Sequence, residues 1–130
     1  MNFDINNYEF YCNVCKTHVL ECTKHCQACN RCVAKFDHHC PWLNNCIGGS
    51  NYNPFFKMLS TVTLIIAVQL TVAMLTLGYT NNFRPFSESD RPQIWIIAVT
   101  NLCVNAPVIL GLLKLLIFHL YIMAKGLTTY

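Results

Sequence analysis

Residues 12–46 read CNVCKTHVLECTKHCQACNRCVAKFDHHCPWLNNC, and eight of the chain's nine cysteines lie in this stretch. The spacing of its cysteines and histidines follows neither the helical period nor the alternation of a strand, as expected of short hairpins and loops held by ligands rather than by an apolar core. Cysteine pairs two residues apart can close on one ion from a tight turn, and zinc favours four tetrahedral Cys and His ligands. The stretch carries too many soft ligands for a single zinc, so two four-ligand sites are the economical solution. Spacing alone does not assign each ligand to its ion. Gly48, Gly49, Asn51, Asn53 and Pro54 then mark turns before the first long apolar run, with Tyr52, Phe55 and Phe56 suited to a membrane interface.

Beyond this stretch the composition changes regime. The chain has 130 residues, and residues 58–83 carry no charged side chain, nor do residues 92–113. Each run exceeds the roughly 20 apolar residues needed to cross a bilayer, so two transmembrane helices are expected, over 57–80 and 93–124. The segment between them, NNFRPFSESDRP at 81–92, is short, polar and proline-punctuated, which fits a luminal or extracellular connection between antiparallel helices. Threonines and Gln69 in the first span must satisfy their polar groups against backbone or neighbours. Pro107 removes one backbone hydrogen bond in the second. A helix running from Ile94 to Ala124 would be about 46 Å long, more than the roughly 30 Å hydrocarbon core, so its end should project into the cytosol. Lys114 reads as a snorkelling lysine, His119 as a packing or interfacial residue, and Cys103 as a small core residue.

The start of the chain, MNFDINNYEF, has neither a basic region nor an apolar core and does not read as a signal peptide. Residues 1–11 read as an approach segment and 12–56 as a cysteine-rich domain. Lys16, Lys24, Arg31, Lys35 and Lys57 lie on the cysteine-rich side of the first span and Lys125 follows the second, against Arg84 and Arg91 between them. Positive residues mark the cytosolic side, which places the cysteine-rich domain there. In a reducing cytosol, cysteine richness points to metal or catalysis rather than disulfides. A net charge of +3, scattered along the chain and without a basic recognition helix, gives no reason to expect nucleic acid as a partner.

Several elements of the stretch occur together in one known family. Asp37-His38-His39-Cys40, the following Pro41-Trp42, Asn45-Cys46-Ile47-Gly48, and Asn51 ahead of Phe55 and Phe56 resemble the DHHC-type zinc-binding protein S-acyltransferases, the palmitoyltransferases. The match covers about 45 residues, and the two spans and Thr128-Thr129 agree with the family's third and fourth spans and the start of its TTxE motif. The resemblance implies one structural zinc on Cys12, Cys15, His25 and Cys32, and a second on Cys26, Cys29, His39 and Cys46. It leaves Cys40 outside both sets as the nucleophile, with His38 accepting the thiol proton and Asp37 orienting that histidine. It also implies that Trp42 lies near the bound acyl group and that Thr129 contacts Asp37.

The same resemblance implies acyl-CoA as donor and proteins with membrane-proximal cysteines as acceptors. It further implies an integral membrane protein, with the Golgi or endoplasmic reticulum as the family's setting. Where the family carries a proline and an arginine before His25, this chain has Leu20 and Cys22; Cys22 reads as a spare surface thiol. The family ordinarily has four spans, so residues 125–130 read as a truncated TTxE segment and the chain as partial. The rival reading is therefore a catalytically inactive, truncated membrane adaptor that keeps the zinc domain.

Overall fold

A computed structural model describes residues 10–83 and 87–125, Phe83 by its backbone alone. Six three-residue strands come first: β1 (Phe10–Cys12), β2 (Thr17–Val19), β3 (Lys24–Cys26), β4 (Arg31–Val33), β5 (His38–Cys40) and β6 (Asn45–Ile47). They pair as three separate antiparallel hairpins, β1 with β2, β3 with β4 and β5 with β6. Their registers repeat: Tyr11 faces His18, His25 faces Cys32 and His39 faces Cys46, each pair 14 residues beyond the one before. The turns repeat with them, because Lys16, Asn30 and Asn44 all adopt left-handed backbone, with φ of 51°, 47° and 47°. Asparagine tolerates that region better than most residues, and lysine does so less readily.

Three residues per strand leave each hairpin without a core of its own. Burial within the described residues of the cysteine-rich part gathers instead on the third hairpin, at Asp37, Cys40, Cys46, Ile47 and Gly48, joined by Cys26 and Phe55. Gly48 is required by close approach. A Cβ there would stand 2.8 Å from Val33 Cγ1 and 3.0 Å from the Ala34 carbonyl oxygen. Gly49 N–H donates to that same carbonyl at 3.1 Å, and Asp37 N–H donates to Ile47 O at 2.9 Å.

Helix α1 spans Tyr52–Phe83 and α2 spans Arg91–Ala124. The turn expected to precede the first helix is shorter than its sequence implies, because Asn53 and Pro54 lie in the first turn of α1. Proline is tolerated there since the first-turn N–H groups have no helical acceptor. Asn51 stands at the cap, its carbonyl accepting from Phe55 N–H at 3.0 Å. Its side chain turns back toward the third hairpin, accepting from Gly48 N–H and donating to Cys46 O, both at 2.9 Å.

Both helices are long and apolar enough to cross a membrane, each with a most apolar window of mean hydropathy 2.1. Thr61, Thr63, Thr71, Thr76 and Thr80 donate to the carbonyls four residues earlier, at 2.8–2.9 Å, which removes the polar cost expected of them. His119 is buried against Phe118, with ring centroids 5.6 Å apart, whereas Cys103 is exposed on the helix surface rather than in a core. Gln69, Thr76 and Asn101 line a mainly apolar cavity of about 370 Å³ between the helices, and Asn101 Oδ1 is buried without a hydrogen-bond partner. The chain divides into two compact units, one of the hairpins with the start of α1 to Phe56 and the end of α2 from Ile122, the other of Lys57–Tyr121.

Candidate functional site

Strand alternation explains how so many cysteines avoid competing for one ion. Successive side chains of a strand point to opposite faces, so His25 and Cys26, adjacent on β3, go to different clusters. Cys12, Cys15, His25 and Cys32 form one set and Cys26, Cys29, His39 and Cys46 the other, with the donor atoms of each set within 4.8 Å of one another. In the first, Cys15 Sγ lies 3.2 Å from His25 Nδ1 and 3.5 Å from Cys32 Sγ, and Cys32 Sγ lies 3.9 Å from that nitrogen. In the second, the corresponding distances are 3.3 Å for Cys29 to His39 Nδ1, 3.2 Å for Cys29 to Cys46, and 3.8 Å for Cys46 to His39 Nδ1. A tetrahedron around zinc has edges of about 3.5–3.8 Å, given Zn–S near 2.3 Å and Zn–N near 2.0–2.1 Å. Both sets fit a metal ion of that kind.

Charge points the same way. Cys15 N–H bonded to the Cys12 sulfur lowers the Cys12 thiol, and Cys29 N–H does the same for Cys26. Burial, followed by the neighbouring thiols of its own set, pushes Cys32 up to about 12, and Cys46 likewise to about 12. Three thiolates cannot gather in so small a space unaided. A divalent cation resolves that conflict, because a coordinating thiol is deprotonated outright.

The third hairpin carries a different group. His38 Nδ1 and Asp37 Oδ2 are 2.6 Å apart, and the Asp37 side chain is almost entirely buried while that of His38 is about one-third exposed. Phe55 meets the His38 ring edge-on, with centroids 5.4 Å apart at 71°. His38 and Cys40 are two residues apart on β5 and so share a face, whereas His39 between them turns to the metal cluster. Cys40 is 7% exposed and belongs to neither cluster. Trp42, at the tip of the same hairpin, is 96% exposed. Thr129 lies outside the described residues.

This arrangement accompanies a match of residues 5–130 to the family model for the DHHC palmitoyltransferase domain. The chain belongs to that family. Membership implies S-acyltransferase activity, and with the two long apolar helices it marks a membrane protein. A Conus quercinus protein named alpha-conotoxin-like Qc1.2 is 38% identical over 52 residues, 39% of this chain and 84% of that protein. That likeness is confined to a minority of the chain, whereas the DHHC match takes in the hairpins and both helices.

Three features of the DHHC site were not read from sequence. Arg31 Nη2 donates to Asn45 Oδ1 at 2.7 Å, tying the second hairpin to the third opposite Cys40. Phe55 packs on His38, and Asn51 fastens the end of the hairpin to the helix cap. The Cys and His pattern reads as quasi-repeated from the sequence, without a repeat of 20–50 residues, and the structure gives that quasi-repeat its period of 14, on which Cys12, Cys26 and Cys40 fall.

Proposed function

We propose that this chain is a protein S-acyltransferase that carries a long-chain fatty acyl group, palmitoyl, from acyl-CoA through a thioester on Cys40 to cysteines of cytosol-facing membrane-associated proteins. The observation that carries the reading is the 2.6 Å Asp37–His38 contact beside a thiol that neither metal set claims. Residues i and i+2 of a strand are about 6.6 Å apart along the chain, near enough for side chains on one face to reach each other. Asp37 holds the His38 ring in one tautomer and orientation through Nδ1, so that Nε2 is the nitrogen that takes the Cys40 proton.

The Cys40 thiolate attacks the thioester carbonyl of acyl-CoA, the new C–S bond forms, and CoA leaves as the thiol with the proton held by His38. A substrate thiolate then attacks the acyl-enzyme carbonyl, and Cys40 is regenerated after its sulfur leaves. One thioester is exchanged for another at each step, so no external energy source is required. Zinc in both clusters would act as a structural cross-link holding the hairpins in register. Cys40 is held at the cytosolic membrane face, where the acyl chain enters an apolar setting at about 0.8 kcal/mol per buried methylene. Trp42, exposed at the hairpin tip, lies near the bound acyl group. Golgi or endoplasmic reticulum membranes are the setting.

The test is hydroxylamine-sensitive labelling of the membrane-reconstituted chain with a long-chain acyl-CoA, compared with Cys40→Ala at equal metal content. Label lost only in Cys40→Ala supports the acyl-enzyme. Equal labelling of both chains removes Cys40 as the carrier, and a metal-loaded native chain that takes no label favours the inactive adaptor.

A further inference from the structure

The two metal sets are one pattern displaced along the chain. Cys12, Cys15, His25 and Cys32 move by 14 positions onto Cys26, Cys29, His39 and Cys46. The hairpin registers, the left-handed turn residues and the three donor distances given above move with them. In each set one hairpin supplies the first strand's last cysteine and a second cysteine from its turn, and the next hairpin supplies a facing His and Cys. A third displacement by 14 lands on Cys40, Leu43, Asn53 and Ser60. Cys40 ends β5 as Cys12 ends β1 and Cys26 ends β3, and it faces Asn45 as they face Thr17 and Arg31. No fourth hairpin follows, because positions 53 and 60 belong to helix α1. Of the four donors, only Cys40 remains.

We propose that Cys40 stands in the metal-ligand position of a third copy of this repeat, and that Leu43, in place of the repeat's second cysteine, keeps soft metal ions off the nucleophile. The inference rests on Cys40 being the acyl carrier. A Cys-x2-Cys turn presents two sulfurs to one ion, as both resident clusters do, whereas a single thiol offers no chelate. A thiolate committed to zinc would be a poor nucleophile for a thioester. Leu43 removes the partner while leaving the hairpin geometry that delivers Cys40 to its position. Leu43 is itself substantially exposed at the turn, so no tightly packed core demands its side chain.

The test restores the missing sulfur in the full, membrane-reconstituted chain. Leu43→Cys is titrated with cadmium, read by thiolate-to-metal charge-transfer absorption and by metal count per chain, beside the native chain, Leu43→Ser and Leu43→Cys with Cys40→Ala. The expected result is one additional cadmium in Leu43→Cys, held about tenfold or more tighter than any third ion in the native chain, and lost when Cys40 is also replaced. Excess cadmium should then suppress acyl labelling of Leu43→Cys reversibly. Leu43→Ser should keep both label and native metal count. An unchanged cadmium count in Leu43→Cys overturns the proposal. So does loss of either resident ion in Leu43→Cys or Leu43→Ser, which would make Leu43 a holder of the hairpin instead. If the native chain takes no acyl label yet Leu43→Cys gains its ion, the ligand position stands and the acyl-carrier reading fails.

Discussion

The two metal clusters have the same donors, the same order of ligands and nearly the same separations, yet their surroundings differ. In the first, Cys15 is exposed and the other three ligands are partly covered; in the second, Cys26 and Cys46 are buried at 5% and 3% exposure. The second also shares its strands with the proposed reacting group, since His39 sits between His38 and Cys40 on β5 and Cys46 between Asn45 and Ile47 on β6. The same donor set would thus serve two ends. With an ion bound, the outer cluster would clamp the first hairpin to the second, and the inner one would hold the hairpin that carries Asp37, His38 and Cys40.

Breaking the inner cluster should have the largest effect. Structural zinc in small domains contributes about 10–16 kcal/mol of apparent binding free energy that is also folding free energy. His39→Ala or Cys46→Ser should therefore lose the inner ion and bring acyl labelling to background, checked by metal count and label on the same sample. Cys15→Ser should keep the inner ion and a measurable part of the label. A chelator applied to the native chain should remove the outer ion first, with label persisting until the inner ion leaves. Simultaneous loss of both would erase the distinction between the clusters.

Within the inner hairpin, chemistry and support separate. Asp37→Asn should retain both ions and lower the single-turnover labelling rate by about 10²–10⁴-fold, the range of a positioned proton-transfer group and its orienting carboxylate. Gly48→Ala forces a Cβ against Val33 and the Ala34 carbonyl. It should cost about 1–3 kcal/mol, seen as a lower unfolding midpoint of the metal-loaded chain. The smallest structural effect belongs to Trp42→Ala. With that side chain exposed, the unfolding free energy should change by less than about 0.5 kcal/mol and the metal count not at all, while acyl labelling falls.

Much of this was legible in the chain. The abundance of soft ligands called for two ions, and the uncharged runs called for two long helices. The beginning of α1 was misjudged because Asn53 and Pro54 read as turn residues, although proline suits a helix's first turn as well as a loop. Cys103 was expected in a core and lies on a helix surface, since composition cannot say which way one residue of an apolar helix faces. The partners that steady the proposed reacting residues left no local signal. Arg31 reaches Asn45 across 14 residues, and Phe55 reaches His38 from another element.

Residue types and spacing by themselves determined the soft-metal chemistry, the apolar helices and, through the Asp37–Cys40 motif, the family. They did so because donor softness and side-chain hydropathy are properties of residues wherever the chain places them. Tertiary structure decided which four donors could share an ion, and that Asp37 touches His38 while His39 turns away. Those outcomes depend on strand alternation and hairpin register, which send adjacent side chains to opposite faces and bring together residues up to 20 positions apart.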